Sequence, residues 1–383
     1  MRFEFGTASR IVFGQGTVKE VPQLLIEKGQ RVLFITGTHL ERSAPLLELL
    51  KRTKFEISVY SVSSEPTVNV VSAGVRFARG NECDVVVGIG GGSVIDTAKA
   101  IAAIIPNSGD VLDYLEVIGA GKILQKAPLP FMAIPTTAGT GAEVTKNAVL
   151  LSPKHGVKVS LRSPLMFPDV AVIDAELTYS MPPKVTAASG MDALSHLLEA
   201  YVSLNSNYMT DMVCRDGMKR IAESLYRAFE DGKNVDARED MAIASLLGGL
   251  ALANAKLGVV HGFAGPIGGS FSAPHGAVCA CLLPYVMEMN IKKLHIKKQD
   301  QHLERYEKIA QILTGKQETK AEEGVAWVSN LCDQLKIPKL SDFGITTSDF
   351  PELVEKAKNA SSTKGNPVKL TDEELLEILK NAA

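Results

Sequence analysis

The run Val85-Val-Val-Gly-Ile-Gly-Gly-Gly-Ser93 leads straight into Val94-Ile-Asp-Thr-Ala-Lys-Ala-Ile101, and few junctions restrict a fold more. An apolar, β-branched run of that length reads as a strand buried on both faces, and the segment after it is helical. Glycines between the two let backbone approach a bound group closely, while the helix N-terminus offers free N–H groups and partial positive charge. The junction therefore reads as a cradle for a dinucleotide pyrophosphate. It is neither a standard Gly-x-Gly-x-x-Gly nor a Walker loop, since no Gly-Lys-Ser/Thr follows. A tight strand-to-helix turn without a ligand is the competing reading.

The same alternation runs through residues 1–182. Arg31-Val-Leu-Phe-Ile-Thr36 closes on Gly37, Phe55-Glu-Ile-Ser-Val-Tyr60 follows a Leu-rich helical stretch, and Asp84-Val-Val-Val-Gly88 and Pro130-Phe-Met-Ala-Ile134 come next. Apolar strands separated by helices predict a doubly wound parallel sheet, Rossmann-like in character. After the fourth of them, Pro135-Thr136-Thr137-Ala-Gly-Thr140-Gly141 places three hydroxyls and two glycines in a loop suited to phosphate, ribose or amide recognition. Beyond Met181-Pro-Pro183 the strand-like runs nearly vanish. Amphipathic stretches at 190–204, 208–230, 236–256, 302–315, 319–336, 349–359 and 371–382 predict an all-helical domain over 183–383, with a cleft between the two halves. A chain of 383 residues is long enough for that division.

In the helical half, Gly190-Met-Asp192-Ala-Leu-Ser-His196 sets a carboxylate and an imidazole four residues apart, on one helix face. His261 and His275 follow in segments of small residues that let backbone, metal and substrate come close. In isolation an Asp-x-x-x-His pair is an ordinary helix pair. Together with His261 and His275 it offers one carboxylate and three imidazoles, a set suited to Fe(II) or Zn(II) with room for a substrate oxygen.

Charge excludes other roles. A formal net charge of −2 gives no basic excess for nucleic acid, and Lys292, Lys293, Lys297 and Lys298 read as a solvated helix face. Five cysteines without Cys-x-x-Cys spacing read as reduced thiols in a cytoplasmic protein, and neither an export signal nor a membrane span is indicated.

From Phe3 to the C-terminus the chain carries Gly90-Gly-Gly-Ser93, Pro135-Thr-Thr-Ala-Gly-Thr140, Pro168-Asp-Val-Ala-Val-Ile-Asp174, Gly190-Met-Asp-Ala-Leu194, His196, Glu199-Ala-Tyr-Val-Ser203, His261 and Pro274-His-Gly276, in that order. In these motifs it resembles the iron-containing (group III) alcohol dehydrogenases, a family within the dehydroquinate synthase-like architecture. The resemblance implies that Asp192, His196, His261 and His275 bind the metal and carry catalysis. It implies NAD or NADP held by Gly90, Gly91, Gly92, Ser93 and Asp96, with Thr136, Thr137, Thr140 and Asn147 toward the nicotinamide ribose, Lys158 nearby and Gly37 beside the adenosine ribose. It also implies a homodimer or higher homo-oligomer, and Arg2-Phe-Glu-Phe5 offers a strand for such a contact.

Two positions depart from the family pattern. Many relatives have an acid after the first strand, where it repels a 2′-phosphate; Gly37 stands here, which permits NADP. Many have a further histidine at the place of Gly265, close to substrate, so the proton must leave by another route. The expected reaction is reversible hydride transfer between the nicotinamide and a small primary alcohol or aldehyde. A reductase of maleylacetate or another keto acid ranks second, because no Arg or Lys cluster adjoins His261 or His275. A dehydroquinate synthase-like lyase ranks below it.

Overall fold

A computed structural model describes residues 2–63 and 65–383. The chain divides into two compact units. One comprises Thr7–Thr137 and Gly141–Tyr179; the other comprises Ala138–Thr140, Ser180–Ala383 and the N-terminal segment through Gly6.

The first unit is built on a six-stranded sheet of β1 (Arg10–Phe13), β2 (Arg31–Gly37), β3 (Glu56–Val62), β4 (Val85–Gly90), β5 (Phe131–Pro135) and β8 (Val170–Ile173). Their order is β1-β8-β5-β4-β2-β3, and every pairing is parallel. Alternation along the strands explains why both faces are apolar. Val32, Phe34, Val85, Val87, Met132 and Ile134 enter one core, while Leu33, Ile35, Val86 and Ala133 enter the other. Helices α1 (Val21–Leu25), α2 (Ala44–Lys51), α3 (Val68–Gly80), α4 (Gly92–Ile104) and α5 (Val111–Tyr114) complete the layers. An antiparallel hairpin, β6 (Asn147–Ser152) and β7 (Val157–Arg162), is added to one side. The strand order reverses direction between β2 and β4, and that is where ligands bind in open parallel sheets.

The second unit is helical: α6 (Pro183–Val202), α7 (Tyr208–Glu230), α8 (Val235–Asn254), α9 (Val259–Ser270), α10 (His275–Lys297), α11 (Asp300–Thr314), α12 (Ala321–Gln334), α13 (Phe350–Asn359) and α14 (Asp372–Ala382). Pro183 stands at the first turn of α6, where its fixed φ costs no hydrogen bond. From Gly190 to Val202 every residue of α6 is buried, so this helix is the axis of the unit. The start of α10 presses on it: a Cβ on Gly276 would lie 2.3 Å from the Ala188 carbonyl oxygen and 3.1 Å from Asp192 Cβ.

Residues 2–5 form no strand; the first strand starts at Arg10 and belongs to the parallel sheet. The five cysteines are free thiols. Among the described residues no single helix is long and apolar enough to cross a membrane. The bent pair α8 and α9, with 97° between its halves, meets that test of length and composition only jointly.

Candidate metal centre

Four ligand atoms from Asp192, His261, His275 and Cys279 lie within 4.8 Å of one another. Helix α6 contributes Asp192, the first turn of α9 contributes His261, and α10 opens with His275 and carries Cys279 one turn further. Asp192 Oδ1 is 3.6 Å from His261 Nε2 and 3.8 Å from His275 Nε2. Cys279 Sγ is 3.7 Å from each of the same two nitrogens. His196 sits beside this group, its ring stacked on that of His261 with centroids 4.5 Å apart. Asp192, His261 and His275 thus converge as the sequence suggests, Cys279 joins them, and His196 flanks them.

The set suits a cation. Asp192 Oδ1 and His196 Nδ1 are buried without a hydrogen-bond partner, an arrangement that costs free energy unless something charged or polar meets them. Separations of 3.6–3.8 Å are too long for hydrogen bonds between these nitrogens and the carboxylate oxygen. They match the edges of a coordination polyhedron instead. Asp192, His196 and His261 are buried, whereas the His275 side chain is 37% exposed, so the group opens to solvent on that side.

Electrostatics agree. Burial opposes the charge on Asp192, but His196, His275 and His261 outweigh it and hold the carboxyl well below the usual carboxylate range. Burial pulls His196 down to about 3, against the attraction of Asp192, and keeps its ring neutral. His261 and His275 are raised despite burial, by Cys279 and Asp192 and, at His261, also by Glu199. Protons would therefore compete with a metal for these nitrogens, and affinity for one is expected to fall as the pH falls.

Glu199 orients His261. One of its carboxylate oxygens accepts from His261 Nδ1 at 2.6 Å and the other from the Val260 amide at 2.7 Å. That bond fixes the tautomer with Nδ1 protonated and leaves the Nε2 lone pair facing the cluster. The sequence names Glu199 only within a motif; its signal is an acid inside an otherwise apolar buried helix. We expect Glu199→Gln to weaken metal binding by about 10- to 100-fold with the fold kept. Chelator competition checks this, and unchanged affinity would refute the orienting role.

The glycine loop expected to cradle phosphate lies at the switch point of the sheet. Gly90 ends β4, Gly91 caps α4 without a side-chain hydrogen bond, and Gly92 and Ser93 form the first turn. A Cβ on Gly90 would lie 2.6 Å from Val94, so glycine is needed for this close approach of loop and helix. Thr136 donates its amide to the Gly90 carbonyl at 2.9 Å, which joins the second loop to the first. These features suit a dinucleotide diphosphate. Gly37 ends β2 and has room at its Cβ position, with only Val94 at 4.0 Å. Thr137 follows β5, and Thr140 falls in the other unit. Asp96 Oδ2 accepts from the Val149 amide at 3.0 Å, Asn147 opens β6, and Lys158 on β7 ion-pairs with Glu65 at 2.8 Å.

A group the sequence reading passes over holds this region together. Lys99 Nζ, wholly buried, donates to the carbonyls of Ala142 at 2.7 Å and Asn147 at 2.8 Å and to Thr145 Oγ1 at 2.9 Å. A cation amid an Ala/Ile run is the only mark of it in the sequence.

Comparison with known proteins covers nearly the whole chain. The family description "Iron-containing alcohol dehydrogenase" matches residues 8–175, and "Fe-containing alcohol dehydrogenase family, C-terminal" matches residues 186–383. The chain is 36% identical over 377 residues to alcohol dehydrogenase 4 of Saccharomyces cerevisiae, covering 97% of this chain and 96% of that one. It is 35% identical over 363 residues to 1,3-propanediol dehydrogenase of Klebsiella pneumoniae, with 92% of each covered. A crystal structure of a 1,3-propanediol oxidoreductase superposes with a TM-score of 0.93 at 32% identity, over all of both chains.

Proposed function

The chain belongs to the iron-containing alcohol dehydrogenase family, and from that premise we propose that it is a cytoplasmic, metal-dependent, NAD(P)-linked oxidoreductase of small primary alcohols and their aldehydes. The observation that carries this reading is the buried, unpartnered Asp192 Oδ1 facing the Nε2 atoms of His261 and His275. When bound, Fe(II) or Zn(II) supplies Lewis acidity that lowers the pKa of an alcohol, and NAD or NADP accepts the hydride at C4.

The chain's own residues provide binding, charge and orientation. Asp192 gives the one anionic oxygen of the expected set and offsets part of a dication's charge. Glu199 keeps His261 in the tautomer that presents Nε2. His196, expected as the remaining ligand, flanks this set with its ring stacked on that of His261, centroids 4.5 Å apart. The N-terminus of α4 with Gly90, Gly91, Gly92 and Ser93 would hold the pyrophosphate, and Gly37 leaves a 2′-phosphate unopposed. Outside its own helix backbone and chain neighbours nothing lies within 4 Å of a Cβ built on Gly265, so that position supplies no proton acceptor, and water, a ribose hydroxyl or another residue would carry the proton of the reacting hydroxyl.

The test is oxidation of a panel of short alcohols and reduction of the matching aldehydes, with NAD(H) and NADP(H) in parallel. The protein is first made metal-free and then reloaded separately with Fe(II) and Zn(II). We expect turnover that returns only with metal and that accepts NADP. Tight dinucleotide binding with no turnover of any alcohol or aldehyde would overturn the reading.

A further inference from the structure

We propose that Cys279 is itself a ligand of the metal, through Sγ, alongside Asp192, His261 and His275. The inference rests on the reading that this cluster binds a metal, and it names a donor that the expected set of one carboxylate and three imidazoles lacks.

Four of the edges between these ligand atoms are close to those of a tetrahedral site, and all four atoms lie within 4.8 Å of one another. With metal–sulfur and metal–nitrogen bonds of the usual lengths for zinc, the sulfur-to-nitrogen edge of a tetrahedral site is about 3.6 Å. Cys279 Sγ lies 3.7 Å from His261 Nε2 and 3.7 Å from His275 Nε2. The corresponding nitrogen-to-oxygen edge is about 3.4 Å, and Asp192 Oδ1 lies 3.6 and 3.8 Å from those nitrogens. An inward movement of a few tenths of an ångström along these four edges would bring the four atoms toward one ion, with the exposed His275 side left for a substrate oxygen as a further ligand.

A simple hydrogen bond explains the arrangement less well. A thiol can donate its proton to His261 Nε2 and accept one from His275 Nε2, but that pairing leaves Asp192 Oδ1, buried beside the same nitrogens, without a partner. The Glu199 carboxylate engages the His261 Nδ1 proton, so in the neutral ring that a metal would bind, Nε2 is the lone pair turned to the same point as the sulfur. The independent sign of a missing ion is Asp192 Oδ1, which is buried, meets the same two nitrogens and has no hydrogen-bond partner. Cys279 is wholly buried and stands one turn after His275 on α10, so the two project from one helix face.

On binding, the sulfur–metal bond forms as the thiol proton passes to solvent, with no change of oxidation state. A sulfur donor moves the site's preference toward thiophilic ions such as Zn(II) and Co(II) and away from Fe(II).

The full-length chain is stripped of metal, loaded anaerobically with one equivalent of Co(II), and its absorption spectrum recorded; Zn(II) affinity is then measured by chelator competition. We expect a thiolate-to-cobalt charge-transfer band in the near ultraviolet, lost in Cys279→Ser and Cys279→Ala. We also expect Zn(II) affinity to fall by about tenfold or more in both. Co(II) bound by the unaltered chain without that band overturns the proposal whatever the variants do, and so does a band that survives in Cys279→Ser. Failure of the unaltered chain to bind Co(II) or Zn(II) would instead sink the metal centre, and this ligand with it.

Discussion

His261→Ala is expected to lose bound metal and to lower kcat/KM by at least about a thousandfold, equivalent to about 4 kcal/mol of transition-state stabilisation. The reason is the place of His261 within the cluster. Its Nε2 faces both Asp192 Oδ1 and Cys279 Sγ, its Nδ1 is braced by Glu199, and its ring stacks on His196. Removing the ring takes away one ligand, releases the Glu199 brace and leaves a buried carboxylate facing a void. The fold should survive, because α9 is packed by Val260, Phe263, Ala264 and Ile267 rather than by the imidazole. Circular dichroism and thermal melting check that premise, and metal analysis with steady-state kinetics checks the effect. Turnover retained in His261→Ala, in buffers free of metal, would reject the site.

Lys99→Met is expected to destabilise the unit built on the parallel sheet by about 3–5 kcal/mol, the scale seen when one partner of a buried charged network is removed. Lys99 supplies hydrogen bonds to Ala142, Thr145 and Asn147, and Asp96 lies 4.0 Å from its ammonium. Burial lowers its pKa to about 8, with Asp96 and Glu143 pulling the other way, so it is charged at neutral pH. Methionine fills similar volume but removes three hydrogen bonds from these acceptors and the cation beside Asp96, while the Ala142 carbonyl keeps its bond from Thr145 Oγ1. Glu143, raised by burial to about 7 with Lys99 opposing, would rise further and take up a proton near neutrality. Denaturant unfolding followed in that unit measures the loss, with the midpoint falling and the slope unchanged. The same change should weaken dinucleotide binding, because Lys99 ties α4 to the segment that follows the second threonine loop. A loss below about 1 kcal/mol would mean that the network carries little.

The parallel sheet was legible because its strands are continuous apolar runs closed by glycine or by the threonine loop, and the observed β2, β4 and β5 start within a residue of where those runs do. Amphipathic periodicity likewise exposed α7, α11 and α14. It could not expose α9 and α10. Helix α9 contains Gly262, Gly265, Pro266, Gly268 and Gly269, which have poor helix propensity, and burial on its neighbours overrides that. Much of α10 is buried around its circumference, so no polar stripe marks its period. The helices that present His261 and His275 were thus the hardest to read, and those residues stood out only through their chemistry and their small neighbours. Cys279 was missed because a lone cysteine among apolar residues reads as a core thiol. The signal available was its spacing of four from His275, the same spacing that marks Asp192 and His196.

The measurement closest to the central claim is metal stoichiometry coupled to activity on one preparation. Metal-free protein is titrated with Zn(II), and separately and anaerobically with Fe(II), while bound metal and alcohol oxidation are followed together. The account predicts saturation at one equivalent per chain, with turnover rising in step with occupancy for at least one of the two ions. Turnover that is full before metal is added, or metal that binds without stoichiometry, would contradict it.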